Sequence, residues 1–69
     1  MNVEKYDNDK ITVLVVEDGD KIFVAKKRHR FRRWKTYEYI DKSRSRKAVK
    51  TTRLMSAMFD HLARTTVAE

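Results

Sequence analysis

The residues best suited to chemistry form one dense cationic segment, from Lys26 to Lys35. Between Lys21 and Arg53 the chain carries fourteen Lys and Arg residues against two acids, a local charge of +12, whereas the first twenty residues carry −4. So much like charge repels itself unless an anion lies nearby, and nucleic-acid phosphate is the usual anionic partner. Arginine forks also match phosphate oxygens and the O6 and N7 acceptors of guanine. The segment therefore predicts a polyanion-binding surface, without a specific target.

The predicted contact residues are the cations and one ring of this segment, with three basic residues further along the chain. In full they are Lys26, Lys27, Arg28, Arg30, Phe31, Arg32, Arg33, Lys35, Arg46, Lys50 and Arg53. Phe31 lies between two arginines and is the candidate for stacking on a base or wedging between bases. Trp34 is interpreted as a core residue, and His29 as a spectator within the cationic cluster.

Catalysis and metal binding find no support in the residue types. The chain has no Cys, two His and one Gly, so Cys-based zinc sites and Gly-rich phosphate loops are excluded. The acids around Asp18 and Asp20 lack the spacing of a calcium loop and are interpreted as turn and solubility residues. We therefore predict a protein that is not an enzyme and needs neither a metal nor a cofactor.

A β-hairpin is the first element that positions the cationic segment. Residues 10–17 and 21–28 are rich in β-branched side chains, and Asp18-Gly19 between them is a strong hairpin signal. With Asp18-Gly19 as the two central turn residues, Val15 is predicted to face Ile22. One face then carries only aliphatic side chains and is predicted to be the core; these are Ile11, Val13, Val15, Ile22 and Val24. The other face carries Leu14, Val16, Phe23 and Ala25.

A third strand and a helix complete the prediction. Arg33–Ile40 alternates, with Trp34 on one face and Tyr37 on the other, and the link from the second strand falls near Arg28–Arg32. Extended alternation through this link would place Lys27 beside Phe31. Residues 45–65 are predicted to be helical, with Ser43 or Ser45 as the N-cap. The apolar stripe of the helix comprises Ala48, Thr51, Met55, Met58, Phe59 and Leu62, and its basic face Arg46, Lys50, Arg53 and Arg64.

The predicted fold class is α+β, with a three-stranded antiparallel sheet followed by one C-terminal amphipathic helix. We expect a single small domain over residues 1–69, with residues 1–9 flexible, residues 10–40 in the sheet and residues 45–65 in the helix. This layout is similar to that of integrase arm-binding DNA domains and a class of plant DNA-binding domains, although no motif of either occurs here. Those domains place an open sheet face in the major groove, and this similarity of architecture makes sheet insertion a physically available docking mode for this chain.

The predicted function is therefore non-catalytic nucleic-acid binding. Duplex DNA is favoured because an ordered sheet beside a basic helix suits groove and backbone docking, and RNA suits an Arg-rich segment with aromatic residues equally well. The alternative partner is an acidic protein, such as a nucleic-acid-processing enzyme. Met55, Met58, Phe59 and Leu62 form a candidate homodimer seam. Without a signal peptide or a membrane-length apolar run, we expect an intracellular, cytoplasmic protein, associated with the nucleoid if it binds DNA.

Overall fold

A five-stranded antiparallel sheet followed by one helix makes up the fold. The computed structural model describes residues 1–40 and 45–69. The strands are β1 (Asn2–Asp7), β2 (Ile11–Asp18), β3 (Lys21–Arg28), β4 (Arg33–Tyr39) and β5 (Arg46–Val49), and the helix α1 is Arg53–Thr65. The strands lie side by side in chain order, so each pairs with its sequence neighbour. The α+β class is confirmed, but the sheet has five strands rather than three.

Strand β1 occupies the beginning of the chain, where a flexible start was predicted for residues 1–9. Its turn into β2 is built by Asn8, whose side-chain oxygen accepts hydrogen bonds from the backbone N–H groups of Lys10 and Ile11 at 2.8 and 3.0 Å. At the opposite end of the chain, Ala68 forms a parallel bridge with Lys5, and the Glu69 N–H donates to the Lys5 carbonyl at 2.7 Å. The last residues thus cover part of the β1 edge.

The hairpin turn is centred one residue later than predicted, so each cross-strand partner is shifted by two residues. Asp18 faces Lys21 and Val15 faces Val24, so Gly19 and Asp20 are the central turn residues. Gly19 has a φ of 61°, which a glycine adopts at little steric cost, and its place at the first central position is that of a type II′ turn. Because side chains alternate between the two faces with a period of two residues, a shift of two leaves the same residues on each face as predicted.

The core lies on the face opposite to the predicted one. Helix α1 covers the face that carries Leu14, Val16 and Ala25, and its Phe59 is 1% exposed against them. The reason lies in β4, which adds Trp34 and Thr36 to this face and the cations Arg33 and Lys35 to the aliphatic face. Burying two unpaired cations would cost far more than leaving valines half-exposed, so the aliphatic face stays open.

Helix α1 begins eight residues later than predicted. Residues 46–49, expected in its first turn, instead pair with β4 as strand β5, with Arg46 opposite Tyr39. The N-cap is Thr52, whose hydroxyl accepts the Met55 N–H at 3.1 Å, and not Ser45; Ser43 lies outside the described residues. β-Branched residues just before Arg53 favour extended backbone over a helical turn. Within the described ranges, no helix has the length and apolar character needed to cross a membrane.

The predicted dimer seam serves mainly the core of this chain. Phe59 packs on Trp34 with ring centroids 5.5 Å apart, and Met55 and Leu62 pack against the same cluster. Met58 is the exposed member of the four, at 42%. Most apolar side chains of the predicted seam therefore pack against the sheet of the same chain.

Candidate nucleic-acid interface

The β3–β4 hairpin carries most of the predicted contact residues and ends in a four-residue turn. This tip comprises residues 29–32, as the sequence indicated, and is closed by the Arg28 carbonyl. That oxygen accepts the N–H groups of Phe31 and Arg32 at 3.0 and 3.1 Å. Arg32 has a φ of 53°, a left-handed conformation that an L-residue other than Asn or Asp seldom adopts. The tip therefore holds a guanidinium at a strained backbone position.

Four cations of this hairpin form two directly opposed pairs on the open face, the sheet face away from α1. Lys26 faces Lys35, and Arg28 faces Arg33, one row nearer to the tip. We call these four residues the basic quartet. Like charges directly opposite each other destabilise an antiparallel pair. Within the described ranges neither pair has a carboxylate within salt-bridge distance, so the repulsion is left uncompensated by the protein.

Tyr37 continues the open face below the quartet and orients cations around it. The Lys26 ammonium nitrogen lies 5.9 Å from the centre of its ring, and the Arg46 guanidinium carbon lies 4.6 Å from it. Attraction between a cation and the ring face holds such side chains in place without neutralising them. Arg46 is therefore beside the quartet, but from strand β5 and not from a helix face.

Phe31 projects from the tip and is the most accessible aromatic ring of the hairpin. It is 63% exposed, and the Arg30 guanidinium carbon lies 5.7 Å from its ring centre. Between Phe31 and Tyr37 the open face forms a shallow depression lined by the basic quartet and Ile11. Cationic, aromatic and aliphatic groups are thus brought together in one concave surface.

Lys27, a predicted contact residue, lies apart from this surface. It lies on the helix side of the sheet, with its ammonium 3.3 Å from Asp60 Oδ1 and 5.5 Å from the centre of the Trp34 ring. Trp34 Nε1 donates to the same oxygen at 2.9 Å. These hydrogen bonds, first from Trp34 and then from Lys27, hold the pKa of Asp60 below its ordinary value. Lys27 therefore closes the edge of the core.

The basic helix face predicted from Arg46, Lys50 and Arg53 does not exist as one surface. Arg46 lies in β5, Lys50 is exposed in the connection before α1, and Arg53 is the first residue of the helix. Arg53 nevertheless borders a second depression, together with Arg32 of the tip and Arg33 and other residues of β4. Lys42 and Arg44, which precede this predicted face in the sequence, lie outside the described residues.

His29 takes a role that sequence spacing did not indicate. Its Nε2 lies 2.8 Å from Thr12 Oγ1, and its Nδ1 lies 3.2 Å from the Asp9 carbonyl. Thr12 Oγ1 donates in turn to Asp7 at 2.8 Å, and that carboxylate is 3.6 Å from His29 Nε2. His29 thus joins the tip to the β1–β2 turn. This contact could have been predicted only from the pairing of β2 with β3, which places Ile11 opposite Arg28 and so brings the β1–β2 turn close to His29.

The structure thus gathers most of the predicted site residues around one end of the sheet. The basic quartet, Phe31 and Tyr37 share the open face, Arg30 and Arg32 lie at the tip, and Arg46 and Arg53 flank the hairpin. Comparison of the chain with protein-family models, with curated proteins and with solved structures finds no match.

Proposed function

We propose that this chain is a non-catalytic nucleic-acid-binding protein whose β3–β4 hairpin contacts phosphate through the open face of the sheet. The observation that carries the proposal is the pair of opposed like-charge rows, Lys26 with Lys35 and Arg28 with Arg33. A protein that gained only solubility from these cations would not need to place them directly opposite each other. A bound polyanion would relieve both repulsions at once.

The number of arginines near the tip supports a ligand with several phosphate groups, such as a nucleic-acid backbone, rather than a single small anion. Arg28, Arg30, Arg32 and Arg33 surround the tip, and arginine binds phosphate oxygens through paired, planar hydrogen bonds. Among the strand residues of the open face the acids are Glu4 and Glu17, on β1 and β2 and outside the two rows of the quartet. Asp7 and Asp9 lie at the β1–β2 turn, beside His29. This separation of charge orients a polyanion along β3 and β4. DNA remains the favoured nucleic acid, and RNA the close competitor.

The salt dependence of binding tests this proposal. If the quartet, Arg30 and Arg32 each neutralise one phosphate, the slope of log K against log salt should be about −4 for single strands and −5 for duplexes. Fluorescence anisotropy with labelled oligonucleotides between about 50 and 200 mM salt measures it. Replacing Lys26 and Lys35 together with Gln should reduce the slope by roughly 1.4 to 1.8. A slope near zero, or one that the double variant leaves unchanged, would contradict the proposal.

An acidic protein surface is the second candidate ligand, favoured by the half-buried valines beside the quartet. Val13, Val15 and Val24 form an apolar strip in the middle of the open face, and a protein partner could cover it. Such a partner would bind with a fixed stoichiometry, and oligonucleotides would compete weakly for it. Saturable, salt-steep oligonucleotide binding in the titration above favours the first proposal over this one.

A further inference from the structure

The width of the sheet restricts how the open face can meet a nucleic acid. At the level of Lys26 and Lys35 four strands lie abreast, because Val13 of β2 and Tyr6 of β1 continue the same row. Their backbone axes span about 14 Å at the usual strand spacing. The major groove of B-form DNA is about 12 Å wide, so this part of the sheet cannot enter it flat. The three-stranded layout expected from the sequence would have fitted.

The four-residue tip extends beyond the paired part of β3 and β4, with Asp9 and Lys10 of the β1–β2 turn beside Arg30 and Phe31. β2 accompanies β3 as far as Arg28, and His29 N–H still donates to the Lys10 carbonyl at 3.0 Å. A duplex approached by the open face would therefore meet the quartet with its phosphates, while its paired bases stay out of reach of the depression. The aromatic and aliphatic surface there would contact nothing.

We propose that the open face takes a single strand of nucleic acid, with an unpaired base stacked on Phe31; this inference rests on the proposed function. In an unpaired strand the bases are free to turn toward the protein while the phosphates stay accessible to cations. The depression supplies both kinds of surface: the basic quartet for phosphates, and Phe31 with Ile11 for an apolar base. Single-stranded DNA and RNA share this chemistry.

Phe31, and not Tyr37, is the stacking residue. The Tyr37 ring is already approached by Lys26 and Arg46, at 5.9 and 4.6 Å from its centre, so a base would have to displace a cation from it. Phe31 is 63% exposed, and among the described residues one cation, Arg30, lies over its ring. Arg30 covers at most one face of the Phe31 ring, so this exposed ring still offers a face to a base. Tyr37 is accordingly a positioning residue for the cations.

The test compares Phe31→Ala and Phe31→Leu with the unmodified protein. Labelled oligomers of about 16 nucleotides are used as single-stranded DNA, single-stranded RNA and duplex DNA of one sequence. Because Phe31 contributes no core contact, both variants should unfold at the same temperature as the parent, which circular dichroism checks. Phe31→Ala should weaken single-strand binding by about 5- to 150-fold, the range expected from loss of one stacked base, and leave duplex binding unchanged. Phe31→Leu should show most of the same loss, since it keeps apolar bulk without a ring.

The outcomes separate this inference from the proposed function. Single strands that bind more tightly than the duplex, with a loss confined to them in Phe31→Ala, support it. The DNA and RNA arms then show which single strand is preferred. Equal losses on single strands and duplex, no loss at all, or tighter duplex binding overturn the inference while the proposed function stands. Absence of salt-dependent binding to all three oligomers overturns both.

Discussion

Changing Lys35 to Glu should make the protein more stable and a weaker binder at the same time. Lys35 faces Lys26 across β4 and β3, with no carboxylate within salt-bridge distance among the described residues. The substitution turns a repulsive cross-strand pair into an attractive one. Each such pair contributes a few tenths to 1 kcal/mol, so the reversal should raise the free energy of unfolding by about 1 kcal/mol. In a domain of this size that corresponds to an increase in Tm of about 4–8 °C.

Lys47→Glu is the matched control, because it makes the same charge change on the other face of the sheet. Lys47 faces Glu38, so this substitution turns an attractive pair into a repulsive one and should lower Tm by a similar amount. Both side chains are exposed and neither substitution removes a core contact. The two variants have equal net charge, so any difference between them comes from position.

Lys35→Glu should lose more affinity for oligonucleotides than Lys47→Glu does. Lys35→Glu removes a phosphate contact and puts a negative charge in the basic quartet, which should reduce affinity by about tenfold or more at 150 mM salt. Lys47→Glu should cost clearly less, because charges beyond about 8 Å are screened at that ionic strength. Thermal unfolding by circular dichroism and anisotropy measure the two effects. A lower Tm for Lys35→Glu, or equal affinity losses in the two variants, would refute the reasoning.

Two further predictions concern the tip and the edge of the core. Arg32→Gly should raise Tm by about 2–4 °C, because relief of the φ of 53° exceeds the added entropy of the unfolded chain, and should weaken binding. Arg30→Gly, which removes the same charge in the same turn at an ordinary φ, should weaken binding and lower Tm; stabilisation by both variants would contradict a local strain. Asp60 has a pKa held below the ordinary 3.8 by Trp34 and Lys27, so its stabilising effect is complete above that pH and is lost as the pH falls through the depressed value. Asp60→Asn should therefore lower Tm near neutral pH and flatten its decline at acid pH, and an unaltered pH profile of Tm would argue against the ion pair.

Local patterns in the sequence predicted the central hairpins well. The alternation in residues 10–17, 21–28 and 33–40 placed the correct side chains on common faces, because a strand period of two survives an error in turn position. For the same reason the prediction that Gly19 lies in a turn was sound although its register was shifted. The grouping of Tyr37 with Arg33 and Lys35 on one face followed from the same alternation.

The features that the sequence did not predict depend on contacts between residues far apart in the chain. Arg46–Val49 is short enough to suit a helix or a strand, and its pairing with Tyr39 and its neighbours made it a strand. The choice of core face depended on adding β4 to the hairpin, since Arg33 and Lys35 make the aliphatic face costly to bury. Lys27 looked like one cation among many until the helix placed Asp60 beside it. Asn8 is a common turn residue and builds the β1–β2 turn, so its presence could have predicted a strand before it.

Nuclear magnetic resonance mapping of bound oligonucleotide would test most directly that nucleic acid docks on the open face near the β3–β4 tip. A titration of the ¹⁵N-labelled protein with a single-stranded oligomer follows each backbone amide. The account predicts the largest shifts in residues 26–35 without Lys27, together with Tyr37 and Arg46, and small shifts along α1. Shifts concentrated on the exposed side of α1 around Leu54 and Met58, or spread evenly over the chain, would contradict it.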